Sequence, residues 1–210
     1  MTTRRFASLA VLMAAVLLTV AGRAARLTAA SQRPGVTGNL TGQLLVATPL
    51  MPDPKFMRTV IYMAQHDSGG AMGLVVNRPM VEIPLARVLE QLGIESKDAS
   101  GTIRTHYGGP VERTRGFVLH TDDYVGNSTL RITGGVAMTW QPEIWRAIAA
   151  GSGPRRSLFA LGNSGWAPGQ LEAEMRAGHW VAVPADEALV FDEDYDGKWP
   201  RAMARRAINL

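Results

Sequence analysis

The 210-residue chain contains no cysteine, which excludes disulfides, thiolate nucleophiles and zinc–thiolate centres together. Its four histidines, His66, His106, His120 and His179, include no pair in HxxxH or HExxH spacing, so a histidine-built zinc site would need distant residues to converge. The phosphate-cradling patterns GxGxxG and GxxxxGK with a following Ser or Thr are both missing. Aromatic residues are scarce at 7%. The five tryptophans, Trp140, Trp145, Trp166, Trp180 and Trp199, have no basic stripe beside them, so they read as core or groove anchors and not as base-stacking platforms.

An excess of positive charge is also missing once the first residues are set aside. The net charge is +4, yet Arg4, Arg5, Arg23, Arg26 and Arg33 put +5 into the first forty residues, where no acid stands. The rest carries −1, so the basic balance belongs to the leader and argues against direct nucleic-acid binding by the folded body. The whole chain is 46% hydrophobic and 19% charged, a length and composition that suit one domain with a sizeable core.

Arg4 and Arg5, an uncharged run over residues 6–22, and the small residues Ala24, Ala29 and Ala30 make the three parts of an export signal. Residues 1–30 are therefore expected to be a signal peptide or a membrane anchor, the run lying at the lower limit for a bilayer-spanning helix. Residues 31–41, with Gly, Pro, Thr and Asn, read as a linker, and residues 42–210 as the domain. The leader implies a periplasmic or inner-membrane-anchored protein that touches membrane only through this segment. The alternative is a translation start near Val36 and a cytoplasmic protein.

Apolar or β-branched runs at 43–48, 59–64 and 72–76 are bounded by Pro49, Pro52, Pro54 and Gly69, as strands are, with 66–70 supplying a hairpin turn. Leu85, Val88, Leu89 and Leu92 recur on one helical face before Gly93. Further strands are expected at 103–107, 116–120, 128–133, 136–139, 157–161 and 179–183. Helices are expected at 143–150, from Pro168 to 177 and from about Pro200. Strands cluster without regular strand–helix alternation, the pattern of an α+β domain.

Four motifs stand in order: PDPKFMRTVIYMAQH (52–66), GGAMGLVVNRP (69–79), GGPVERTRGFVLH (108–120) and LGNSGWAPGQLE (161–172). On these the chain resembles the AlgH/YqgE family of bacterial proteins over about residues 40–210. The resemblance implies a single α+β domain, a mostly antiparallel, barrel-like sheet flanked by helices. It brings no established enzymatic activity and no cofactor, and implies a noncatalytic role, in transcriptional regulation or in interaction with a protein or small ligand. Family members usually begin near the position of Leu40 and are cytosolic. They often carry a cysteine in the strand that here reads Tyr62-Met63-Ala64-Gln65-His66, and usually a tyrosine at the position of Asn163; this chain departs on each point.

Several chemistries are open. Ser164, in Gly162-Asn163-Ser164-Gly165-Trp166, is expected at a strand-to-helix turn, the place of a hydrolase nucleophile, but Trp166 stands where the elbow needs its second glycine. A histidine–carboxylate pair on His66 or on His120, the latter beside Asp122, is the other hydrolase reading. Turn amides at 69–70, 108–109 and before the 168–177 helix, with Arg78, Arg113 and Arg115, are candidates for a small anion. Asp192-Glu193-Asp194-Tyr195-Asp196-Gly197 matches the first six positions of a calcium loop and makes Asp192, Asp194 and Asp196 candidate ligands. The closing position is Met203, where a bidentate glutamate is needed, so a metal is not expected and an acidic turn is the plainer reading. A DNA-associated regulator would lack a recognisable helix-turn-helix. The groove expected to carry function is bounded by Asp53, Phe56, Arg58, His66, Asn77, Arg78, Arg115, His120 and Trp166, with Arg58 placed to pair with Asp53 if 53–58 folds back over the strand ends.

Overall fold

The computed structural model describes residues 38–95 and 99–206. The signal peptide or anchor over 1–30, most of the 31–41 linker and the start near Val36 lie outside the described residues. None of the described helices is long and apolar enough to cross a membrane.

Ten strands form the sheet among the described residues: β1 (Gln43–Ala47), β2 (Val60–Asp67), β3 (Gly70–Val75), β4 (Pro79–Pro84), β5 (Thr102–Tyr107), β6 (Val111–Thr121), β7 (Thr129–Arg131), β8 (Val136–Thr139), β9 (Ser157–Trp166) and β10 (Trp180–Pro184). Helices α1 (Leu85–Gln91), α2 (Glu143–Ala149), α3 (Gln170–Arg176), α4 (Glu187–Phe191) and α5 (Tyr195–Ala204) flank it. The strand order is β10-β1-β2-β3-β9-β6-β8-β7, with β4 joined through β5 to β9. Every pairing is antiparallel except β5 with β9.

The sheet curls into a half-barrel. Tyr62 Oη on β2 donates to the Thr133 carbonyl at 3.1 Å, and Thr133 Oγ1 donates to the Thr41 carbonyl at 3.3 Å, which brings the far edge beyond β7 back to the start of β1. Both faces of the central strands are covered. Leu44 and Val46 join one apolar cluster with Tyr62, Leu74, Leu119 and Ala202, while Leu45 and Ala47 join another with Ile61, Val75, Leu171 and Trp180. Period-two alternation therefore puts apolar side chains on both sides, and β1 reads in sequence as an unbroken apolar run.

The α+β class and the barrel-like sheet are as the sequence implied, but several elements differ. β4 is an unexpected edge strand, paired only with β5. β9 runs on through Trp166, so Ser164 lies within a strand and not at a turn. α3 begins at Gln170, not Pro168, because Gly169 sits at φ 76 and breaks the helical path before it. α4 was not expected. α5 begins at Tyr195, five residues before Pro200, because the Asp194 carboxylate caps it by accepting the Gly197 amide at 3.0 Å.

Candidate functional site

The loop between β1 and β2, the residues after β3 and the first turns of α5 meet around a cavity of ≈ 420 Å³ lined by Arg58, Asn77, Arg78, Tyr195, Asp196 and Trp199. Asn77 ties two of these segments together: its Oδ1 accepts the Val60 amide at 2.9 Å and its Nδ2 donates to the Arg58 carbonyl at 2.9 Å. Arg78 Nη2 donates to the Met57 carbonyl at 3.1 Å and to Thr59 Oγ1 at 2.8 Å. Arg58 adopts φ 55, a left-handed conformation costly for a residue with a Cβ. Its guanidinium lies 5.1 Å from the Trp199 ring centroid, and Trp199 is itself anchored by donating Nε1–H to the Ala47 carbonyl at 2.7 Å.

Among the described residues neither Arg58 nor Arg78 has a carboxylate within ion-pair distance. The expected Asp53–Arg58 pair does not form: Asp53 Oδ1 accepts the Lys55 amide at 2.9 Å, and Arg58 turns to the Trp199 ring instead. Asp53, Phe56 and Trp166 line a separate cavity, also ≈ 420 Å³, with Met51, Ser164 and His179. There Phe56 and Trp166 each pack edge-on against Trp180, at 5.6 and 5.9 Å between centroids.

The other expected groove residues are placed elsewhere. Arg115 stands on β6 and lines neither cavity; it pairs with Glu112 at 3.0 Å and lies over Phe117, and Arg113, a candidate for a small anion only, lines neither cavity either. His66 is bonded at both ring nitrogens, its Nδ1 accepting the Leu40 amide at 3.1 Å and its Nε2 donating to Glu172 at 2.9 Å. A histidine–carboxylate pair exists there, but its lone pair is occupied by the backbone and it holds no free base. His120 is fully buried; Nδ1 donates to the Thr121 carbonyl at 2.8 Å and Nε2 accepts from Thr139 Oγ1 at 3.0 Å. Burial keeps its pKa below the usual range, so it stays neutral.

Ser164 is 1% exposed and its hydroxyl donates to the Gly108 carbonyl at 3.4 Å. Among the described residues no histidine bonds it. The calcium-loop segment is the cap and first turn of α5: Asp192 faces Lys198 at 3.1 Å and Arg201 at 2.6 Å, and Asp194 caps the helix. Among the described residues no three His, Asp or Glu side chains gather as a metal site would require.

Tyr195, Asp196 and Trp199 were missing from the expected groove. Tyr195 and Trp199 are four apart and share a face of α5, so the signal was the spacing, hidden by starting the helix at Pro200.

The AlgH-like family profile matches residues 44–210. A UPF0301 protein of Caulobacter vibrioides is 48% identical over 171 residues, covering 80% of this chain and 88% of the relative. A UPF0301 protein of Rhodospirillum rubrum is 46% identical over 172 residues, covering 82% and 90%. The solution structure of the AlgH protein from Pseudomonas aeruginosa matches with a TM-score of 0.70 at 43% identity, covering 81% of this chain and 90% of that one. A crystal structure from Corynebacterium diphtheriae, 22% identical, shares the fold with a TM-score of 0.63 over 78% of this chain and 85% of that one. With four motifs in order, the half-barrel sheet and these matches across most of its length, the chain belongs to the AlgH-like family.

Proposed function

We propose that the domain is a noncatalytic binding module that holds an anionic group, a carboxylate or phosphate of a small ligand or partner protein, between Arg58 and Arg78. The observation that carries this reading is the pair of guanidiniums without a carboxylate partner among the described residues, on the lining of one polar cavity. The Arg58 guanidinium has five N–H donors and no hydrogen-bonded acceptor among the described residues; Arg78 commits Nη2 to the protein and leaves Nε and Nη1 facing no protein acceptor among them. The planar fork of each matches the geometry of a carboxylate or phosphate edge. Asp196 on the same lining offsets one positive charge, which favours a singly charged anion over a multiply charged one. Any regulatory role would then run through the bound ligand or partner, and not through a basic surface laid on DNA.

Calorimetric titration of the full-length protein with inorganic phosphate and with N-acetylglycine tests this, alongside Arg58→Gln. Saturable binding of at least one probe, weakened by added salt and by about tenfold or more in Arg58→Gln, is expected. Binding that is indifferent to Arg58→Gln, or none with either probe, overturns the reading.

A further inference from the structure

The cavity that holds Phe56 and Trp166 is opposite in character to the arginine cavity. Met51, Pro52, Phe56, Pro110 and Trp166 form much of its wall, and the surface it exposes is mainly apolar. No lysine or arginine lines it; its charged side chains are Asp53 and Glu174, with His179 as the remaining ionisable one. At ≈ 420 Å³ it falls within the roughly 300–1,000 Å³ of small-molecule sites.

Asp53 carries the less committed of the two charges. Its backbone carbonyl accepts the Phe56 amide at 2.9 Å, so the carboxylate and the ring leave one tight turn. Oδ1 accepts the Lys55 amide at 2.9 Å, and Oδ2 has neither a hydrogen-bond nor an ion-pair partner among the described residues. Glu174, on α3, gives Oε2 to the indoles of Trp166 and Trp180 at 2.9 and 2.8 Å and Oε1 to Gln170 Nε2 at 2.9 Å. These neutral donors orient the Glu174 carboxylate without cancelling its charge, and it too has no ion-pair partner among the described residues.

Two uncompensated carboxylates favour a positively charged occupant, and aromatic side chains on the same wall favour one further. A metal ion does not suit the place: Asp53, Glu174 and His179 do not gather as a metal site, and an apolar wall offers a hard cation no oxygens. Burial on that wall favours hydrocarbon instead. An organic ammonium carries the charge and the hydrocarbon in one molecule.

We propose that this cavity binds an ammonium group on an apolar stem, the stem lying against Phe56 and Trp166 and the cation beside Asp53 Oδ2. The ammonium belongs to a free amine or to a lysine of a partner protein. The two cavities share no lining residue, so this site stands apart from the anion site.

Two matched pairs of probes test it. Phenethylamine, protonated near neutral pH, is compared with 2-phenylethanol, and Nα-acetyl-lysine methylamide with Nα-acetyl-norleucine methylamide; each pair keeps the stem and drops the charge. In full-length protein labelled with nitrogen-15, the indole N–H resonances of Trp166 and Trp180 are followed as each probe is added. At least one ammonium is expected to shift them saturably and to bind about fivefold or more tightly than its neutral counterpart. The pair that shows the preference identifies a free amine or a lysine as the source. Asp53→Asn, which keeps the oxygen that accepts the Lys55 amide and removes the charge, is expected to erase most of the preference. Neutral probes that bind as tightly, no saturable shift with either ammonium, or a preference unchanged in Asp53→Asn each overturn the proposal. Should Asp53→Asn not fold, the wild-type pairs decide alone.

Discussion

Asn77 holds Arg58 in a backbone conformation that arginine disfavours: its carboxamide donates to the Arg58 carbonyl at 2.9 Å while accepting the amide of buried Val60 at the same distance, and Arg58 sits at φ 55. The clamp makes two opposite predictions. Arg58→Gly relieves the left-handed strain and is expected to raise stability by up to about 1 kcal/mol while abolishing anion binding. Asn77→Ala leaves the Val60 N–H unserved and is expected to lower stability by about 1–3 kcal/mol. Urea midpoints at an unchanged m-value measure both.

A second expectation concerns pH. His106 takes its proton near pH 4 in the fold, against 6.5 for the free side chain. Between these values the unfolded chain binds a proton that the folded chain refuses, so stability present above pH 6.5 is lost as pH falls toward 4, by about 3 kcal/mol at the end of the window. Burial moves His120 in the same direction. Denaturant unfolding at pH 7 and pH 5 should show a larger loss in the wild type than in His106→Phe; equal losses would assign the effect elsewhere.

Gly109, between β5 and β6, lies with Gly108 at a close backbone approach to β9. It sits at φ 152, and a Cβ there would lie 2.2 Å from the backbone of Asn163 on β9. Neither strand can retreat, because Gly108 donates to the Leu161 carbonyl at 2.8 Å and accepts from the Val75 amide at 3.0 Å. Gly109→Ala is expected to cost about 3 kcal/mol or more, from strain and overlap together. Thermal unfolding of the purified variant measures it.

Glu174, on the lining of the Phe56 cavity, accepts two indole N–H groups on the same oxygen, from Trp166 at 2.9 Å and from Trp180 at 2.8 Å. Both rings are buried. Glu174→Leu leaves two buried donors without a partner and is expected to cost about 2–4 kcal/mol, with a change in near-ultraviolet circular dichroism from the disturbed tryptophans.

The parts of the fold that could be read from the residues are those whose burial follows a simple period. Leu85, Val88 and Leu89 are buried on one face of α1 as their spacing implies, and β1 and β2 are apolar because both their faces are covered. β4 escaped because it is an edge strand with mostly exposed side chains between two prolines, which leaves no alternation to see. α4 spans five residues, so its periodicity is too short to detect, although its Asp186 cap was present in the sequence. In the candidate site, Arg58, Asn77 and Arg78, assigned to one groove by motif position, line one cavity. Asp53, Phe56 and Trp166 were assigned to the same groove and occupy another. Motif position locates strand ends, but which side of a curled sheet a side chain takes depends on register, and register was not in the motifs. Nothing in the sequence marks Lys198 as the fully buried lysine that binds the carbonyls at the end of α4.

The pairing of β1 with β10, which sets Gln43 opposite Pro184, joins the first described strand made to the last. On the ribosome, one edge of β1 waits unpaired through the synthesis of almost the whole domain, with Leu45 and Ala47 uncovered until Trp180 and α3 are available to cover them. Such a chain cannot fold piecemeal from its N-terminus, and its contacts are of the long-range kind that form slowly. A truncation before β10 would therefore yield an open, sticky strand edge and not a smaller working domain.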